Sequence, residues 1–244
     1  MPHSRTFVLI LASALTGLGT TPAHAQDGPT DPYRDTVTVG IGVAALPDYE
    51  GSNDYRISPA PAAIGAVKGY AFVLAGNQLS VDLVKNTPGP VWDVQAGPIA
   101  QLNFTRSSSG SIDDLRVRAL GKRATAVELG GYVGLGKTGV LTSAYDTLSV
   151  TLGYRHDVSG VHDSGIWSPG ITYVTPLSRK AAIGGFASAD IVERGYARTY
   201  YSVSAAQSAA SGLPVYAAHG GLKNWTLGAI GSYSLTGDLL HGIK

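Results

Sequence analysis

The stretch GYVGLGKT, Gly131 to Thr138, satisfies the phosphate-loop pattern G-x-x-x-x-G-K-[ST] in full, and Gly134, Gly136 and Gly139 add a G-x-G-x-x-G spacing. Such a loop binds phosphate when its backbone N–H groups and the N-terminus of a following helix face the anion. The residues that follow, GVLTSAYDTLSVTLGY, lead instead into alternating apolar and polar positions. The motif therefore reads as a strand end and a turn. Four histidines lie beyond residue 25: His156, His162, His219 and His241. His156 and His162 flank Asp157 and Asp163, but none has another His, Asp or Glu at a spacing that puts both on one face, so no metal site is expected. The adjacent carboxylates Asp113 and Asp114 read as a solvated turn rather than an acid/base pair. No G-x-S-x-G elbow occurs, and nothing orders a Ser, a His and an acid into a trio. No catalytic, cofactor-binding or metal-binding residue is assigned, no cofactor is expected, and the chain reads as a non-enzyme.

The elements around these residues repeat with a period of two. In WDVQAGPIAQLNFT, Trp92, Val94, Ala96, Ala100, Leu102 and Phe104 alternate with Asp93, Gln95, Gly97, Gln101, Asn103 and Thr105; only Ile99 falls on the polar side. AVELGGYVGLG sets Val127, Leu129, Val133 and Leu135 against Glu128, Gly130, Tyr132 and Gly134. TLSVTLGYR repeats the pattern with Leu148, Val150, Leu152 and Tyr154. Alternation of this kind specifies strands. Ten are expected, at 36–46, 57–67, 70–75, 77–84, 91–105, 124–136, 143–156, 165–176, 180–191 and 223–235. Short joints (68–69, 137–142, 176–180) alternate with long polar ones (107–123, 157–165, 192–222). Short turns at one end, long loops at the other and one apolar face match an outer-membrane barrel. A soluble β-sandwich also alternates. Here the second face carries Asp93, Gln95, Gln101, Glu128 and Arg155, which suits a wet or hydrogen-bonded lumen, and Trp92, Phe104, Tyr154 and Tyr233 end the apolar face as interfacial girdles do. The expected fold class is all-β: an antiparallel outer-membrane β-barrel. Val39, Ile41, Val94, Leu102, Leu129, Val150 and Leu152 are expected to face lipid.

Residues 1–25 read as a secretory signal: Arg5, then the apolar FVLILASALTGLG, then Ala23-His24-Ala25 at the cleavage spacing. The apolar run is too short for the roughly 20 residues a membrane helix takes. Residues 26–244 then form a single barrel domain. Of the 18 Lys and Arg, Arg5 belongs to the signal, leaving 17 against 17 acids, so the remaining chain is neutral. That balance excludes a nucleic-acid partner, which demands a basic surface. The chain has no cysteine, so its stability rests on the fold alone. Its 32 glycines and its 14% charged residues depart from a soluble domain in opposite directions.

LPDYEGSNDYRISPAP, Leu46 to Pro61, resembles the first signature of the MipA/OmpV family of outer-membrane proteins through Pro47, Tyr49, Gly51, Ser52, Tyr55, Arg56, Pro59 and Pro61. GPVWDVQAGP and ELGGYVGLG sit where that family has its G-P strand and its E-x-G strand. The stretch Tyr200 to Gly237 carries Tyr201-Ser202-Val203, Ser211-Gly212-Leu213-Pro214 and Gly221-Leu222-Lys223, and is the most specific match. The resemblance implies an outer-membrane barrel of about twelve strands. It also implies a scaffold that links a murein lytic transglycosylase to a penicillin-binding synthase. A small-solute channel and a surface antigen or adhesion protein are the alternatives. Family members continue past SLTG to a strand closing on an aromatic residue, whereas this chain stops at LLHGIK, so C-terminal strands are expected to be missing. Pro47 to Arg56 is expected to be the first long loop, with Tyr49 and Tyr55 packing at the interface and Arg56 pairing with Asp48 or Glu50.

Overall fold

The computed structural model describes residues 36–47, 49–50, 52, 54–85, 92–108, 110 and 112–237. The expected signal segment, Asp48, Gly51, Asn53 and His241 lie outside the described residues. Ten strands form one sheet in chain order, each antiparallel to the next, and the sheet curls into a half-barrel. They are β1 (Thr36–Pro47), β2 (Tyr55–Val67), β3 (Tyr70–Ala75), β4 (Gln78–Val81), β5 (Trp92–Asn103), β6 (Ala126–Thr138), β7 (Thr147–Asp157), β8 (Gly165–Pro176), β9 (Ala181–Val192) and β10 (Gly221–Tyr233). The all-β antiparallel fold expected from alternation is the fold of this chain, and the curled sheet is consistent with a β-barrel.

The two faces separate as the alternation requires. Val39, Ile41, Val94, Leu102, Leu129, Val150 and Leu152 are all exposed on the outside, from 43% for Leu152 to 75% for Val39. Glu128 and Arg155 are buried on the inside, with Asp93, Gln95 and Gln101 half-buried. Ile99, the one apolar residue on the polar side, is buried there, with its Cδ1 lying over the backbone of Gly153. Gly130 answers a different need. A Cβ at this position would meet the carbonyl oxygen of Tyr154 at 1.8 Å. Only glycine lets β7 approach β6 where Gly130 pairs with Arg155.

Two boundaries move for identifiable reasons. β4 stops at Val81 rather than 84 because the buried Asp82 carboxylate takes the N–H groups of Val84 (3.0 Å) and Ala96 (3.1 Å). β7 starts at Thr147 rather than 143 because the Asp146 carboxylate gathers the preceding backbone into a turn. The joint at 68–69 is a two-residue hairpin with positive φ at both Lys68 and Gly69, the geometry that matches strand twist.

The long joints are not plain loops. Segment 104–125 carries α1 (Leu115–Ala119), and 193–220 carries α2 (Arg194–Tyr201) and α3 (Ala205–Ser211). Their signals were in the sequence. Asp114 caps α1 by accepting the Arg116 N–H, so of the two carboxylates read as a solvated turn this one begins a helix, while Asp113 is exposed. Ser204 and Gln207 form a reciprocal capping box on α3, and Gly212 ends it at φ 71°.

Candidate functional site

The strand ends that lead into the long loops bring charged side chains together inside the barrel mouth. Inward positions of β6, β7, β8, β9 and β10 supply Glu128, Arg155, Ser168, Asp190 and Lys223, and the β1–β2 loop adds Glu50. Arg155 meets Glu128 at 3.2 Å, Ser168 Oγ at 2.9 Å and Asp190 at 3.7 Å. Ser168 donates to Asp190 at 2.6 Å. Lys223 reaches Asp190 at 3.6 Å and Glu50 at 2.9 Å. The register shift between Leu222 and Asn224 marks Lys223 as the extra residue of a bulge, which re-aims its side chain inward. Signs alternate along the row: Glu128, Arg155, Asp190, Lys223, Glu50. Glu128 also accepts from Asn103 at 2.8 Å and faces His162 Nε2 at 3.3 Å. Each charge is thus paired within a region from which water is largely excluded, as burial demands.

Helix α2 roofs this row. Tyr196 and Tyr200 are buried against Ile166 and Val192, and the His162 ring stands edge-on to Tyr196 at 5.0 Å. Burial pushes the Tyr200 hydroxyl well above its ordinary pKa, with Tyr196, Glu128 and Asp157 adding to the rise. Arg106 donates to the Tyr200 carbonyl (3.1 Å) and Arg123 to the Thr199 carbonyl (3.1 Å). These guanidiniums satisfy the open C-terminal carbonyls of α2 and oppose its dipole. Tyr201 donates to Glu50, which ties the roof to the first loop. Glu50 therefore pairs with Lys223, and Arg56, the partner expected from the sequence, is exposed. Tyr55 is exposed and Tyr49 half-buried.

The residues singled out for chemistry are placed apart from one another. Residues Gly131 to Thr138 run straight through β6 into a turn, with no helix to face a phosphate, and Lys137 Nζ lies 5.2 Å over the Trp92 ring. His156 points to Asp163 at 3.5 Å on the rim, whereas His162 is buried against Glu128. Among the described residues no group of three His, Asp or Glu gathers at metal-binding spacing. Ser168 is hydrogen-bonded to Asp190 and Arg155, and His162 to Glu128. The arrangement links five strand ends and the β1–β2 loop across the mouth. Sequence reasoning placed Glu128 and Arg155 on the inner face but missed Glu50, Asp190, Lys223 and α2, because their meeting depends on which strands become neighbours.

A family model described as MltA-interacting protein MipA matches residues 39–241. No curated protein and no solved structure matches the chain.

Proposed function

This chain belongs to the MltA-interacting protein MipA family, and on that premise we propose that it is an exported outer-membrane barrel that acts without catalysis as a scaffold for murein-remodelling enzymes. The partners are a lytic transglycosylase, the enzyme class in the family's name, and a penicillin-binding synthase. Residues 1–25 serve as the signal that exports it. The observation that carries the membrane reading is the inverted surface: aliphatic side chains stand exposed on the outer face while Glu128 and Arg155 are buried within. In water such a surface costs about 25 cal/mol for every Å² of apolar area left wet, and in lipid that cost disappears. The roofed mouth supports a scaffold over an open pore, since α2 and the charge row occupy the place a solute would cross.

The test is reconstitution of the full chain in lipid with the lytic transglycosylase of the same cell. The expected results are heat-modifiable gel mobility, co-elution of the two proteins, and conductance near background in a planar bilayer. A well-folded barrel that passes current freely and retains no transglycosylase would replace the scaffold with a channel.

A further inference from the structure

Murein lies beneath the outer membrane, and barrels of this type put their short turns on that side and their long loops outside. A scaffold for murein enzymes must therefore present its contact at the turn end. The turn from Gly139 to Asp146, between β6 and β7, differs from an ordinary hairpin tip. It exposes two large apolar side chains, Leu141 (71%) and Tyr145 (78%). It also ties down the backbone that carries them. Asp146 is fully buried, and its carboxylate accepts the N–H groups of Val140 (2.6 Å) and Leu141 (2.9 Å) and the Tyr173 hydroxyl (2.8 Å). Thr142 Oγ1 sits 2.6 Å from the Tyr173 hydroxyl and 2.8 Å from Thr175 Oγ1, which anchors the turn to β8. Exposed apolar side chains on a backbone tied in this way lose less freedom when a partner covers them.

Among the described residues the exposed charges at this end have one sign. Lys68, Lys85, Lys137, Arg179 and Lys180 are exposed at this end. The acids at this end among the described residues, Asp82, Asp93 and Asp146, are buried or half-buried and hydrogen-bonded. We propose that the Gly139–Asp146 turn is the docking knuckle for the lytic transglycosylase: Leu141 and Tyr145 enter an apolar hollow on the enzyme, and the cations meet an acidic border around it. This inference rests on the scaffold reading and adds the face, the anchors and the charge of the partner surface.

The experiment measures binding of the purified transglycosylase to the full-length barrel in nanodiscs, with heat-modifiable mobility as the folding control. Leu141→Ser with Tyr145→Ser should raise Kd at least tenfold. Arg179→Glu with Lys180→Glu should slow association and flatten its salt dependence, as steering charges do. Val158→Ser, exposed at the loop end, should bind as the unaltered protein does. If the unaltered barrel binds and both turn variants bind equally well, the knuckle is wrong and the scaffold stands. If the unaltered barrel does not bind at all, both fall. Should the knuckle variant fail to fold, the charge-reversal pair decides alone. If the turn variants keep the enzyme but lose retention on phosphatidylglycerol vesicles, the turn is an interfacial lipid anchor and the proposal is overturned.

Discussion

The two ends of the barrel use the same kinds of side chain in opposite ways. At the loop end, Glu128, Arg155, Asp190, Lys223 and Glu50 turn inward and pair with one another, and Arg106 and Arg123 are committed to the carbonyls of α2. At the turn end the cations are exposed, and the acid of the longest fully described turn is spent on the backbone. A Leu and a Tyr that could have been folded away are displayed instead. The difference teaches how charge is placed: one end buries a row of paired charges, and the other keeps its cations at the surface around a turn tied by a buried carboxylate.

The comparison breaks most visibly at Arg155. Arg155→Ala leaves Glu128 buried beside one His and one Asn, and removing one partner of a buried pair costs about 3–5 kcal/mol. Denaturant unfolding in detergent micelles should show that loss. The same change at Lys180, exposed at the turn end, should stay within about 0.5 kcal/mol. Equal losses would mean that the mouth network carries no special stability.

The face assignment yields the next largest effect. Val150→Arg, at an outward mid-strand position, should destabilise the barrel in lipid by ~2–4 kcal/mol, and Thr151→Arg on the inner face by less. Reversed order in a vesicle refolding assay would turn the barrel inside out.

A smaller effect belongs to the roof. Ser204→Ala removes half of the α3 capping box and should cost about 1 kcal/mol locally. Faster protease cleavage within 193–220, with the strands still protected, is the expected readout. Cleavage spread across the barrel would show that the roof and the wall unfold as one unit.

The most local effect is at Asp146. Burial raises its pKa, but the Thr142, Val140 and Leu141 N–H groups and the Tyr173 hydroxyl outweigh it and hold the carboxyl well below its ordinary 3.8. A depressed folded pKa means that the stabilisation is complete above the unfolded value and is lost as pH falls through the folded one. The Leu141 and Thr142 amide resonances should therefore stay constant from neutral pH to about pH 4 and shift only in stronger acid. Asp146→Asn should abolish that shift and loosen the turn, while the mouth network is unchanged. A midpoint near neutrality would contradict the carboxylate's role.

Much of the fold was legible before any coordinates. Strand alternation from Trp92 to Asn103 and from Ala126 to Thr138 identified both faces to the residue, and even the misfit of Ile99 marked a real inward contact with Gly153. That legibility is physical: side chains alternate across a strand, so a sheet with one wet and one oily face must write its orientation into every second residue. The helices were half-legible, since Ser204, Gln207 and Gly212 spell a capped helix that reading a long polar joint as plain loop overlooked.

The mouth and the knuckle were not legible in this way. Glu50 and Lys223 lie at opposite ends of the chain, and the spacing between them says nothing about an ion pair at 2.9 Å. Leu141 and Tyr145 look like loop residues until Asp146 is seen to hold the turn. By itself the sequence determined the strands, their faces, the absence of a phosphate-binding helix after Lys137 and the family likeness, because each follows from neighbours along the chain. Only the tertiary structure decided which charges are buried, which helix roofs the mouth and which turn is tied by a buried carboxylate. Those outcomes depend on curvature that brings distant strands together, and on the cost of burying a charge without a partner.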